Sequence, residues 1–74
     1  EKIRQTQQKL ATLTARETQI LDAVVSGKAN KVIAIELHLS QRTIEIHRAN
    51  VMEKMAVKSL AELVKIVMDA SPTD

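Results

Sequence analysis

Along residues 30 to 55, NKVIAIELHLSQRTIEIHRANVMEKM, apolar positions follow the spacing of two short helices joined by a tight turn. The pattern places Ile33, Leu37, Leu39, Ile44, Val51 and Met55 on the buried side, where crossing helices touch. Ala34 is small enough to let the two helices approach closely. The outer side of the second helix carries Arg42, Thr43, Glu45, Ile46, Ala49, Asn50 and Glu53. Most of these side chains are of types that hydrogen-bond base edges and phosphates. This is the pattern of a helix-turn-helix, and its second helix is of a size to lie in a DNA major groove.

The flanking pattern predicts two more helices. Thr14-Ala15-Arg16-Glu17 reads as a capping box, in which the Thr hydroxyl takes a first-turn amide and Glu17 reaches back to the cap amide. Ile20, Leu21, Val24 and Val25 form one apolar face, and Gly27 ends the helix where a positive φ is wanted. Asn30 is a good N-cap for the first helix of the pair, which runs to Leu37. His38 stands where many helix-turn-helix turns use Gly, and histidine is among the better alternatives at left-handed angles. Ser40 caps the next helix, which continues through Met55 and stops in Ala56-Val57-Lys58. Ser59-Leu60-Ala61-Glu62 is a second capping box and opens a last helix to about Ala70, closed by Ser71-Pro72. Residues 1 to 12, EKIRQTQQKLAT, are polar and glutamine-rich and read as a linker into the domain, or at best a weak helix. The expected fold is all-α: a compact four-helix domain with a helix-turn-helix over residues 13–70, a linker at 1–12 and a tail at 71–74.

Composition narrows the function. Seventy-four residues hold one small core, built here from Leu, Ile, Val, Ala and Met alone. With no cysteine there is neither a disulfide framework nor a thiolate metal site, which suits a cytoplasmic protein. No apolar run approaches the ~18 residues of a membrane span, and no signal-peptide pattern opens the chain. A start at Glu1 rather than Met suggests a domain cut from a longer protein. The net charge of +2 is small, but its distribution is uneven. Lys28, Lys31, Arg42, Arg48, Lys54 and Lys58 against Glu36, Glu45 and Glu53 give the helix pair a net +3 and leave the remainder at −1. Such a face either meets phosphates or is simply solvated. No aromatic residue is available to stack bases, so duplex DNA is the better nucleic-acid candidate than single strands or RNA.

On a helical wheel with Ile44 at zero, Val51, Met55 and Arg48 fall within about 40°, while the outer residues span roughly 100° to 260°. On that arc Asn50 suits adenine and Glu45 suits the amino group of cytosine. Ile46 at its centre suits a thymine methyl, or is ordinary apolar surface scatter. His47 lies at about 300° on the border of core and groove, as a semi-buried packing histidine or a phosphate contact. His38 and His47 are the only histidines and lack further ligands, so no metal, cofactor or catalytic set is expected, nor an enzyme. In the last helix Leu60, Leu63, Val64 and Val67 cluster on one side, with Ala61 and Met68 about 100° round, flanking Lys65. That second strip reads either as a helix-to-helix dimer contact or as part of a wide core-facing stripe.

The sequence resembles the LuxR-type DNA-binding domain, the effector module of the NarL/FixJ response regulators. The resemblance rests on Leu13-Thr14-Ala15-Arg16-Glu17, Gly27, Asn30-Lys31, Ile33-Ala34, Leu37, Ser40 through His47 and Asn50 through Met55. The run from Arg42 to Met55, with Lys58-Ser59-Leu60 after it, is similar to the FixJ branch. The resemblance implies a homodimer on promoter DNA, with the third predicted helix in the major groove and the fourth at the dimer contact. It also implies a receiver domain upstream in the full-length protein. Glu45, Ile46 and Ala49 match positions that touch bases, and Lys31, Thr43, Arg48 and Lys54 match backbone contacts. Glu45 and Ala49 stand where some relatives carry lysine, which implies lower phosphate affinity at those two sites.

The expected DNA-contacting set is therefore Lys31, Ser40, Arg42, Thr43, Glu45, Ile46, Arg48, Ala49, Asn50 and Lys54, and the expected dimer contacts are Ala61, Lys65 and Met68. A helical module that docks partner proteins through the Ile46 and Met68 strips is the alternative of a different class.

Overall fold

The computed structural model describes residues 2–70, so Ser71-Pro72 and the tail lie outside the described residues. Among the described residues five helices appear in place of the expected four: α1 (Lys2–Leu10), α2 (Ala15–Val25), α3 (Asn30–Leu37), α4 (Gln41–Lys54) and α5 (Leu60–Ala70). The four predicted helices correspond to α2 through α5. The additional one, α1, replaces most of the expected linker. Its Lys, Arg, Gln and Leu residues are sound helix formers, and the sparse apolar content that suggested a linker is offset by packing against α5. Ile3, Thr6 and Leu10 recur at helical spacing; Thr6 is buried and Leu10 packs on the core.

The core lies where α2, α3, α4 and α5 converge. Ile20, Ile33, Ile44, Val51, Met55 and Leu63 are almost completely removed from water, and Leu21, Val24, Ala34 and Val57 complete the cluster. Burial of each large side chain contributes roughly 1.5–3 kcal/mol. Leu37 and Leu39 are half-buried against this cluster, close to expectation. Val32 and Ile35 are not at the helix crossing and stay exposed, so the apolar pattern of α3 is wider than its buried face.

Local chemistry sets the helix ends. Thr14 Oγ1 accepts from the Glu17 amide at 3.1 Å, and Glu17 Oε1 accepts from the Thr14 amide at 2.9 Å, the full capping box. Ser40 Oγ accepts from the Thr43 amide at 3.1 Å and caps α4. At α5, Ser59 Oγ accepts from the Glu62 amide, but Glu62 Oε1 takes the Lys58 amide rather than the cap amide itself. Asn30 is not the cap of α3. That position is Ala29, without a side-chain cap bond, and Asn30 is the first helical residue.

Three helices close in the same way. The amides of Lys28, Leu39 and Val57 donate back to the carbonyls of Ala23, Ala34 and Met52, each through a residue at positive φ. Those residues are Gly27 (φ 90°), His38 (φ 58°) and Ala56 (φ 57°). The first two follow from the sequence; Ala56 does not, because alanine has no preference for that region.

Candidate nucleic-acid interface

The side chains on the outer face of α4 are displayed because its inner face is committed. α4 packs against both α2 and α3, and Ile44 and Val51 anchor it in the core. Arg42, Glu45, Ile46, Ala49, Asn50 and Glu53 are consequently exposed, and Thr43 is half-buried beside the cap. Ile46 keeps 48% of its surface in water. Ser40 Oγ also lies 2.9 Å from Thr43 Oγ1, so both hydroxyls belong to the cap that fixes the start of α4.

Charges on this face are partly matched internally. Arg42 Nη1 lies 3.5 Å from Glu45 Oε1, one turn on, which offsets the acidic group at a surface proposed to meet phosphates. Lys28 Nζ lies 2.8 Å from Glu36 Oε1, and Lys31 is exposed. Arg48, on the margin of the buried side, donates from Nη1 to Asn30 Oδ1 at 2.6 Å.

Lys54, expected at the DNA backbone, has its ammonium engaged within the molecule. Its ammonium donates to Glu17 Oε1 at 2.7 Å and lies 3.5 Å from the Thr12 carbonyl. Glu17 is only 4% exposed, so Lys54 is drawn inward to the start of α2. The Lys54 hydrogen bond, followed by that of the Thr14 amide, holds the Glu17 carboxyl below its ordinary pKa despite the opposing effect of burial. Glu17 is thus more than a capping residue. Sequence reasoning missed its second partner because it lies 37 positions away.

His47 is half-buried, as a packing histidine would be, and its buried Nδ1 has no hydrogen-bond partner. Among the described residues no three His, Cys, Asp or Glu side chains gather closely enough to hold a metal.

On α5, Leu63 is buried and Val64, Ile66 and Val67 are half-buried. Leu60, placed with the core-facing cluster by the wheel, is instead exposed, because the chain has only just entered the helix there. It extends an outward strip with Ala61, Val64 and Met68, the last 60% exposed, and Lys65 stands at its edge. A core-facing stripe wide enough to include Met68 is therefore excluded.

Comparison with known proteins agrees with this geometry. The family described as bacterial regulatory proteins, luxR family, matches residues 11–67 and begins just after α1. The transcriptional regulatory protein FixJ of Rhizobium meliloti (strain 1021) is 55% identical over 60 residues, which cover 81% of this chain and 29% of that protein. Full-length FixJ from B. japonicum superimposes with a TM-score of 0.86 at 43% identity, over 93% of this chain and 34% of that one. The response regulator StyR gives the same TM-score at 42% identity, over 89% of this chain and 33% of its own. The chain spans about a third of the length of these relatives. With the helix-turn-helix in α3 and α4 and most of its length matched, the chain belongs to the luxR family of bacterial regulatory proteins, as a domain of the FixJ response-regulator kind.

Proposed function

We propose that the chain is the effector domain of a two-component response regulator, which binds promoter DNA in the cytoplasm as a homodimer and controls transcription. The observation that carries this is the outer face of α4, where Arg42, Glu45, Ile46, Ala49 and Asn50 are held in water by a helix whose other face is locked in the core. With α4 in the major groove, Glu45 accepts from a cytosine amino group, Asn50 pairs with adenine and Ile46 packs on a thymine methyl. Ala49 leaves room for the groove floor. Lys31, Ser40, Arg42, Thr43 and Arg48 face the DNA backbone and set register without reading sequence. Lys54 leaves this group, since its ammonium serves Glu17.

The FixJ relative is a transcriptional regulatory protein, which supports the reading, and the more than two-thirds of its length beyond this chain leaves room for a receiver domain. The strip of Leu60, Ala61, Val64 and Met68, with Lys65 at its edge, supplies the contact between two copies. Among the described residues no helix is long and apolar enough to cross a membrane.

Titration of a duplex with the chain at rising salt tests the proposal. DNA binding through several phosphates falls by orders of magnitude between ~50 and ~200 mM salt. The competing reading, a docking module for partner proteins, draws on the exposure of Ile46 and Met68. It expects no duplex binding, and partner capture that hardly responds to salt.

A further inference from the structure

Asn30 and Arg48 are 18 residues apart on different helices, yet they are joined by a 2.6 Å hydrogen bond. Asn30 begins α3 without capping it, and its carboxamide reaches across to α4 instead. The partner is unusual among the cations of this face. Lys28, Arg42 and Lys54 each lie against a carboxylate, whereas Arg48 is held by a neutral amide. That bond occupies one of five guanidinium N–H donors and cancels none of the charge.

We propose that Asn30 is a positioning residue for DNA binding: it fixes the still fully charged Arg48 where α4 meets the start of α3, so that Arg48 and Lys31 engage one stretch of DNA backbone. This rests on the reading of the chain as DNA-binding. A long side chain left free loses rotamer freedom when it reaches a phosphate, and a guanidinium already held in place loses less. Aspartate at the same position would hold Arg48 more firmly but neutralise it, so the neutral amide is the residue type that orients the cation without spending it.

The test is fluorescence anisotropy with a random-sequence duplex across a KCl series, on the full chain and on Asn30→Ala, Asn30→Asp, Arg48→Ala and the Asn30→Ala/Arg48→Ala pair. A thermal melt accompanies each. Alanine is well tolerated within a helix, so Asn30→Ala retains the fold. Arg48→Ala should weaken binding about three- to tenfold near ~0.1 M salt and lower the salt slope by about 0.9, the loss of one phosphate contact. Asn30→Ala should lose part of that affinity in the parent and nothing further once Arg48 is gone. Asn30→Asp should melt no lower than the parent yet bind more weakly than Asn30→Ala, a divergence that a purely structural role would not produce. Parent-like binding by Asn30→Ala or Asn30→Asp, or equal losses in both Arg48 backgrounds, overturns the proposal and leaves the DNA reading standing. A parent chain that binds no duplex even at low salt overturns both.

Discussion

Ile46 is the residue at which exposure and chemistry point the same way. Half of it remains in water at the centre of the outer face of α4, with no polar group to offer a base edge. Ile46→Ala should leave the fold nearly unchanged, within ~0.5 kcal/mol, because the side chain is exposed and outside the core cluster. It should relax preference at one base pair by something under the ~1–3 kcal/mol of a good base contact. Melts combined with binding to a substituted operator series check both; a large loss of stability would put Ile46 in the core. Ala56 makes a different residue-scale case. Its φ of 57° carries the steric cost of a Cβ in the left-handed region. Ala56→Gly removes about 1–2 kcal/mol of strain and returns roughly 0.5–1 kcal/mol as unfolded-chain entropy, for a net gain near ~0.5–1 kcal/mol. For a domain this size that is a rise of a few degrees, ~2–8 °C, in thermal midpoint. An unchanged or lower midpoint would show that the turn relaxes around alanine.

At the scale of elements, α2 and α4 share the apolar core and are also tied through one carboxylate. Glu17 closes the capping box of α2 and receives Lys54 from the last turn of α4, so a local cap and a long-range tie share one group. Its folded pKa lies below its unfolded value of about 4.3. The unfolded state therefore binds more protons in the acid window. The contribution of Glu17 is complete well above pH ~4.3 and is lost as pH falls through the lower folded pKa. Glu17→Gln should melt below the parent at neutral pH, with the gap narrowing on acidification below pH ~4. Melting curves of the two chains from pH 7 to pH 3 measure this, and a gap that stays constant would locate the stabilisation in packing rather than charge.

For the whole molecule, the two outward surfaces lie on different helices, the polar face on α4 and the apolar strip on α5. The strip presents a single helix edge, well short of a standard interface of ~1,600 Å². The free chain should therefore sediment as a monomer or weak dimer and pair mainly on DNA, where two half-sites raise the effective concentration. Sedimentation equilibrium of the free chain, repeated with a two-half-site duplex, is the check. A tight dimer at nanomolar concentration without DNA would mean that more than this strip is buried.

The elements legible in the chain are those written in local chemistry. Thr14 with Glu17, Gly27, His38 and Ser40 each act within one or two turns, so their caps and closures follow from residue type and spacing. The buried side of α4 follows equally from helical periodicity, and with it the exposed set from Arg42 to Asn50. What the tertiary structure decided involves partners brought together by the crossing of helices. α1 is polar by composition, and the partner it packs against, α5, lies about 50 residues further along the chain. Asn30 has the residue type of a cap but is claimed by Arg48, and Lys54 has that of a phosphate contact but is claimed by Glu17. Periodicity assigns a face to each side chain. Which neighbour occupies that face depends on interhelical angle and register, which no single segment encodes.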